Sequence, residues 1–269
     1  MIPAKFDYIK ANSVSEAISL LGKHNDAKVL AGGHSLLPAM KLRLNQPEVL
    51  IDLGGISGLK VITEDGESIL IGANCTHAEI AASDLVNKHA KALSEAASGI
   101  GDIQVRNAGT IGGSLAHADP AADYPAVVMA SGATINVEGS NGSRSIASGD
   151  FFTGIFETAL NDYEIIVSVS FPKSTDGTYL KFAQSASRFA VVGCAVVKTS
   201  SDIRVGLTGV ADHAYRATGV EDAYNGSNAE EAAAHAVDGV DVLGDYFASE
   251  KYRTHLAKVY VRKALKKIV

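Results

Sequence analysis

The chain has 269 residues, 46% hydrophobic and 20% charged, with net charge −6 and a pI near 5.7. That length builds a substantial core and predicts two domains, and the acidic balance excludes the basic face that nucleic acid requires. No apolar run approaches the roughly eighteen residues of a membrane span. MIPAKFDYIKA lacks the apolar core of a signal peptide, so a cytoplasmic location is expected. Cys75 and Cys194 lie apart in apolar contexts, which excludes a disulfide framework and any cysteine spacing for a metal or iron–sulfur cluster.

In chain order, Phe6–Ile9 reads as a strand, and Ser13-Val14-Ser15-Glu16 as a capping box opening a helix with Ala17, Leu20 and Leu21 inward. Val29–Ala31 is a strand delivering the glycine pair of AGGHSLLPAMKLR (Ala31–Arg43), with a helical turn over Met40–Leu44. Val49–Leu53 is a buried strand, completing a βαβ unit of about 55 residues. Leu59–Ile62 and Ser68–Ile71 flank the turn Glu64–Glu67 as a hairpin, and helices are predicted over His77–Ser83 and Lys88–Ala97. His77 and His89 read as surface or packing residues. Gly99–Asp102 leads to Gln104-Val105-Arg106-Asn107 and then to TIGGSLAHADPAADYP (Thr110–Pro125). Here a second glycine pair forms a turn whose amides can face phosphate oxygens. Asp123 reads as the N-cap of a helix with Pro125 in its first turn, its carboxylate free for that helix or for sugar hydroxyls.

Thr134–Val137 and Ser143–Ile146 make a hairpin, Asp150–Gly154 an aromatic turn, and Glu164–Val169 a continuous strand. Ser174–Gly177 is the candidate boundary, giving domains over 1–175 (subdomains 1–55 and 56–175) and 176–269. Tyr179–Ala183, Val191–Thr199 and Asp202–Val210 read as a three-stranded antiparallel sheet, followed by short helices over Gly219–Tyr224 and Asn228–Val237. Ala248–Ile268 is a basic amphipathic helix with Tyr252, Leu256, Val259, Val261, Leu265 and Ile268 inward and Lys251, Arg253 and Lys258 on a solvated face. The motifs of nucleophilic, zinc-protease and P-loop chemistry are missing, and eight histidines are scattered singly.

Two glycine segments after apolar strands, about 80 residues apart, suit a ligand with a polyphosphate-and-sugar tether. Ala31–Arg43, the approach Gln104–Asn107 and Thr110–Pro125 together resemble the FAD-binding medium subunit of the molybdenum hydroxylases, of the carbon monoxide dehydrogenase and xanthine dehydrogenase type. The resemblance spans essentially the whole chain. It implies an α+β protein: a two-subdomain FAD-binding fold of the vanillyl-alcohol oxidase type, then a C-terminal flavoprotein domain.

The resemblance also implies residue roles. Ala31, Gly32, Gly33, His34, Ser35 and Leu36 would wrap the pyrophosphate, with Thr110, Gly112, Gly113 and Ser114 as the second wall and His117 and Asp119 beside it. His34 reads equally as a surface histidine. Asp123 would bind a hydroxyl-bearing part of a non-covalent FAD, and Ile166 its apolar portion, although plain strand core gives Ile166 the same sequence. Ile100 and Gly101 would line the ring system, and Lys181 matches a family lysine beside the flavin. Ser185 stands where a basic residue is frequent, and Arg188-Phe189-Ala190 replaces an acidic pattern, which leaves the acceptor side of the site open. Partners implied are a large molybdopterin subunit and a small iron–sulfur subunit, in a dimer of heterotrimers. The rivals are a stand-alone flavin oxidase of the same fold and a non-enzymatic nucleotide-binding module. The rims Leu36–Leu44 and Ile100–Val105 are the expected partner surfaces.

Overall fold

A computed structural model describes residues 1–268. Strand β1 (Asp7–Lys10), helix α1 (Val14–Lys23), β2 (Ala27–Leu30), helix α2 (Leu36–Lys41) and β3 (Val49–Asp52) form a parallel sheet in the order β1-β3-β2. The Ser13 hydroxyl accepts the Glu16 N–H, whereas the Glu16 carboxylate reaches one residue beyond a capping box to the Asn12 N–H. Ala17, Ile18 and Leu21 close the unit over Val49 and Ile51, with Leu20 partly buried against the same cluster as expected. Helix α2 starts four residues before the expected helical turn at Met40, because Gly33, at φ +70°, turns the chain straight out of β2.

After a 3₁₀ turn (Ser57–Leu59), β4 (Ile62–Asp65) and β5 (Ser68–Gly72) form the hairpin. Six short helices follow: α3 (His77–Ala82), α4 (Asp84–His89), α5 (Lys91–Gly99), α6 (Ile103–Ala108), α7 (Ile111–His117) and α8 (Tyr124–Ser131). The helix expected over Lys88–Ala97 is divided at Ala90, since the Ser83 hydroxyl caps a separate α4 by accepting the Val86 N–H. Then come β6 (Thr134–Gly139), β7 (Gly142–Ala147), α9 (Ser148–Phe151), β8 (Phe152–Gly154), β9 (Glu157–Thr158) and β10 (Ile165–Pro172). The antiparallel sheet runs β4-β5-β10-β6-β7.

The last part comprises β11 (Asp176–Ala183), β12 (Ala190–Lys198), β13 (Ile203–Thr208), β14 (Tyr215–Arg216), α10 (Thr218–Ala223), α11 (Ala229–Ala233) and α12 (Glu250–Lys267). Its sheet, β11-β12-β13-β14, has four strands where three were expected; a two-residue strand carries no readable alternation. β12 is buried on both faces. Ala195 and Val197 join Tyr179 in one apolar cluster with α5, α8 and the five-stranded sheet, while Cys194 and Val196 face Leu256, Val261 and Leu265 of α12.

Arg253 corrects the solvated-face reading of α12. It is 6% exposed, and its guanidinium donates to the carbonyls of Val191 (2.5 Å) and Gly209 and pairs with Asp245 at 2.5 Å. Tyr252, expected inward, is largely outside, because its ring packs edge-on against Phe182 at the sheet margin.

Candidate cofactor site

The first glycine segment leaves β2 at Leu30, whose carbonyl takes the Leu53 N–H at 2.9 Å. Gly33 in the left-handed region then reverses the chain. Among the described residues, none of the N–H groups from Gly32 through Leu36 has an acceptor in the protein. His34 Nδ1 lies 2.9 Å from the Gly32 carbonyl, which puts the ring proton on Nδ1 and the ring over the turn. Five successive unpaired amides around a left-handed glycine make an anion-binding concavity.

The second segment works differently from the expectation. Thr110–Ser114 is a capped helix start, and the amides of Ile111–Ser114 are taken. Ile111 donates to Cys75 (3.1 Å), Gly112 to Ala73 (2.9 Å), Gly113 to Thr110 Oγ1 (3.1 Å) and Ser114 to the Thr110 carbonyl (3.0 Å). The glycines instead permit close approach. A Cβ on Gly112 would stand 2.6 Å from the Ala73 Cβ, and one on Gly113 would face the Ala31 Cβ at 4.0 Å. A Cβ on Gly32 would collide with the Ala108 carbonyl and the Gly109 Cα. The first glycine segment is therefore packed backbone on backbone against Ala108–Gly109, directly ahead of the second segment, and Gly113 lies beside Ala31.

Asp123 stands at the start of α8 but caps nothing, because its own φ and ψ are helical and its carboxylate points away from the first turn. It is 5% exposed. Tyr179 donates its hydroxyl proton to Oδ1 at 2.5 Å, and Lys181 Nζ donates to Oδ2 at 2.9 Å. Burial pushes this carboxyl above the usual carboxylate range, against the opposing pull of Lys181 and Tyr179. Lys181 also donates to the Arg188 carbonyl at 2.7 Å, so it ties Asp123 to the Gln184–Arg188 turn. The lysine expected beside the flavin is thus already an ion-pair partner of the aspartate expected beside a hydroxyl.

A Cβ on Gly99 would sit 3.8 Å from Lys181 Cε, which brings the Ile100–Gly101 turn to this pair. Arg106 braces that turn by donating to the carbonyls of Ile100 and Gly101 at 3.0 and 3.1 Å. Asp119 folds back on its own loop and accepts the Ala121 N–H, and exposed His117 packs against Phe156 with ring centroids 5.1 Å apart. Ile166, at 5% exposure in the β10 core, offers almost no free surface.

Two residues here were not anticipated. Tyr179 was read only as strand. His77, read as surface or packing, is buried at 4% exposure and shares a 2.9 Å hydrogen bond with the Tyr124 hydroxyl. Burial, with Arg106 and His34 nearby, lowers its pKa to about 4. Its Nε2 stands only 2.5 Å from where a Cβ on Gly109 would be, so this ring backs the glycine contact.

The family model described as the FAD binding domain in molybdopterin dehydrogenase matches residues 4–174, and that of the CO dehydrogenase flavoprotein C-terminal domain matches 177–268. The chain belongs to the FAD-binding medium subunits of the molybdenum hydroxylases. It is 41% identical to the carbon monoxide dehydrogenase medium chain of Hydrogenophaga pseudoflava, covering 98% of this chain and 97% of that one. The nicotine 6-hydroxylase medium subunit of Paenarthrobacter nicotinovorans is 35% identical over 96% and 95%. A solved carbon monoxide dehydrogenase from Hydrogenophaga pseudoflava superposes with a TM-score of 0.93 at 40% identity, over 99% of this chain and 98% of that one. Quinoline 2-oxidoreductase from Pseudomonas putida 86 gives 0.93 at 31%, over 100% and 98%. As a medium subunit this is the FAD-binding component of an oxidoreductase. The run of unpaired amides at Gly32–Leu36, around a left-handed Gly33, fits a dinucleotide's pyrophosphate. Among the described residues no His, Cys, Asp or Glu group could hold a metal, and no helix is long and apolar enough to cross a membrane.

Proposed function

We propose that this chain is the electron-transfer subunit of a heterotrimeric molybdenum hydroxylase acting on carbon monoxide, an aldehyde or an N-heterocycle. Substrate would be oxidised at a molybdopterin centre on a large partner. Electrons would pass through iron–sulfur clusters on a small partner to the non-covalent FAD held here, and on to an external acceptor. Bound FAD supplies the redox chemistry itself. The chain's part is to hold it: amides of Gly32–Leu36 on the pyrophosphate, Thr110–Ser114 as the opposing wall, Asp123 on a hydroxyl group, and Ile100, Gly101 and Lys181 toward the ring.

The observation that carries this is the run of free amides at Gly32–Leu36, packed against the backbone that leads into α7. A second support is surface character. Leu42, Leu44 and Ile103 are 52, 79 and 65% exposed, so the two expected rims present large apolar side chains, as partner surfaces do. Two free buried thiols suit a reducing cytoplasm. The relatives' names include dehydrogenases for carbon monoxide and glyceraldehyde and a nicotine hydroxylase, which supports a substrate set by the large partner. A dimer of heterotrimers is the assembly proposed.

The test is steady-state turnover of carbon monoxide, aldehydes and N-heterocycles by the FAD-loaded chain, alone and with its co-expressed partners. Turnover only in the complex is expected. Turnover by the chain alone would establish the stand-alone oxidase, and a chain that takes up no flavin would establish the non-enzymatic module.

A further inference from the structure

Strand β11 alternates. Leu180 and Phe182 face α12, Leu180 in the C-terminal apolar cluster and Phe182 against Tyr252 and Tyr260. Tyr179 and Lys181, two residues apart, share the opposite face and meet the two oxygens of Asp123. The phenol is fully desolvated, which drives its pKa well above the ordinary value, so its hydroxyl is always the donor. Room for it is made by Gly193 on β12: a Cβ there would overlap the Tyr179 hydroxyl. The carboxylate thus has one oxygen fixed by a neutral donor from a rigid sheet and the other shared with a lysine.

We infer that Tyr179 is a positioning residue for the cofactor site, which orients the Asp123 carboxylate and keeps it ionised for a cofactor hydroxyl, with Gly193 as the vacancy that admits it. The inference rests on the proposed FAD reading. It also separates the two donors by role. Lys181 is engaged with the Arg188 carbonyl as well, so it can follow the Gln184–Arg188 turn, whereas Tyr179 cannot move without breaking the β11–β12 core.

Removing the hydroxyl leaves a carboxylate already raised by burial with one donor fewer, so its pKa rises further. The charged and titratable groups around it are Lys181 and Tyr179 on β11 and Tyr124 on its own helix with His77 behind. In the variant, Lys181 is left as the group that opposes the shift. A cofactor hydroxyl needs the ionised acceptor, so affinity is lost as pH falls through this pKa, and in the variant the loss begins at higher pH.

The experiment is titration of full-length apo-protein with FAD by flavin fluorescence quenching from pH 5 to 8, for wild type, Tyr179→Phe and Tyr215→Phe. Tyr215 is a partly buried control whose hydroxyl donates to the Ala236 carbonyl, away from the site. Thermal melts of the apo-proteins run alongside. Tyr179→Phe is expected to weaken FAD binding roughly tenfold near neutrality, the loss of one hydrogen bond to a charged group. Its acid limb should move to higher pH. Tyr215→Phe should bind as wild type does. A Tyr179→Phe protein that matches wild type in affinity and acid limb would overturn the inference, as would an affinity loss with no change in pH profile. A wild type that binds no FAD would instead remove the reading beneath it.

Discussion

Asp123 is the residue on which the most physics converges. It is a buried carboxylate in a buried ion pair, so Asp123→Ala strands Lys181, whose side chain is only 12% exposed. Breaking such a pair costs about 3–5 kcal/mol. Asp123→Ala should therefore lower urea-unfolding stability by about that much even without flavin, while a surface aspartate such as Asp65 replaced by Ala stays near wild type. A cap alone would have cost about 1 kcal/mol. His77 gives a pH signature of its own. It stays neutral in the fold down to about pH 4, whereas the unfolded chain protonates near 6.5. The unfolded state binds the proton first, so this stability is complete above pH 6.5 and drains as pH falls toward 4, by up to about 3 kcal/mol. His77→Asn should flatten the fall in urea midpoint over that window; an unchanged slope would assign the acid lability to other groups.

At the scale of elements, Gly32 and Gly113, one from each glycine pair, predict opposite tolerances. Gly32→Ala drives a methyl into the Ala108 carbonyl, and neither backbone can give, so flavin content should be lost. Gly113→Ala lies inside a helix with only the Thr110 hydroxyl near, at 3.0 Å, so the protein should stay folded and near wild type in stability. Equal flavin loss in both would mean that the segments do not differ as described. The elements also mark where sequence is readable. The βαβ opening, both hairpins and the strands of 165–208 show as alternation or apolar runs bounded by glycine and polar turns. The glycine motifs point to the site because backbone approach needs glycine itself. Thr110–His117 was read as a turn because two glycines mask a helix, which here is held by tertiary bonds to Ala73 and Cys75. Tyr179 and Arg253 were invisible for another reason. Each is an amphipathic side chain in an apolar pattern, and only the packed structure reveals which atoms its polar end finds.

The whole molecule is built so that α5 and α8 are shared by the five-stranded and C-terminal sheets, with Asp123 and Lys181 bonded across that junction. On the proposed reading, the C-terminal part completes the cofactor site rather than appending to it. A chain truncated after Thr175 should lose FAD retention, since Tyr179 and Lys181 go with it; retention by the truncated chain, checked by absorbance after gel filtration, would argue for a self-sufficient N-terminal site. The most direct measurement of the central claim is the flavin bound by the full chain, released by acid and identified by chromatography. One FAD per chain, released intact, is the result expected. FMN, a covalent flavin, or no flavin after reconstitution would contradict it.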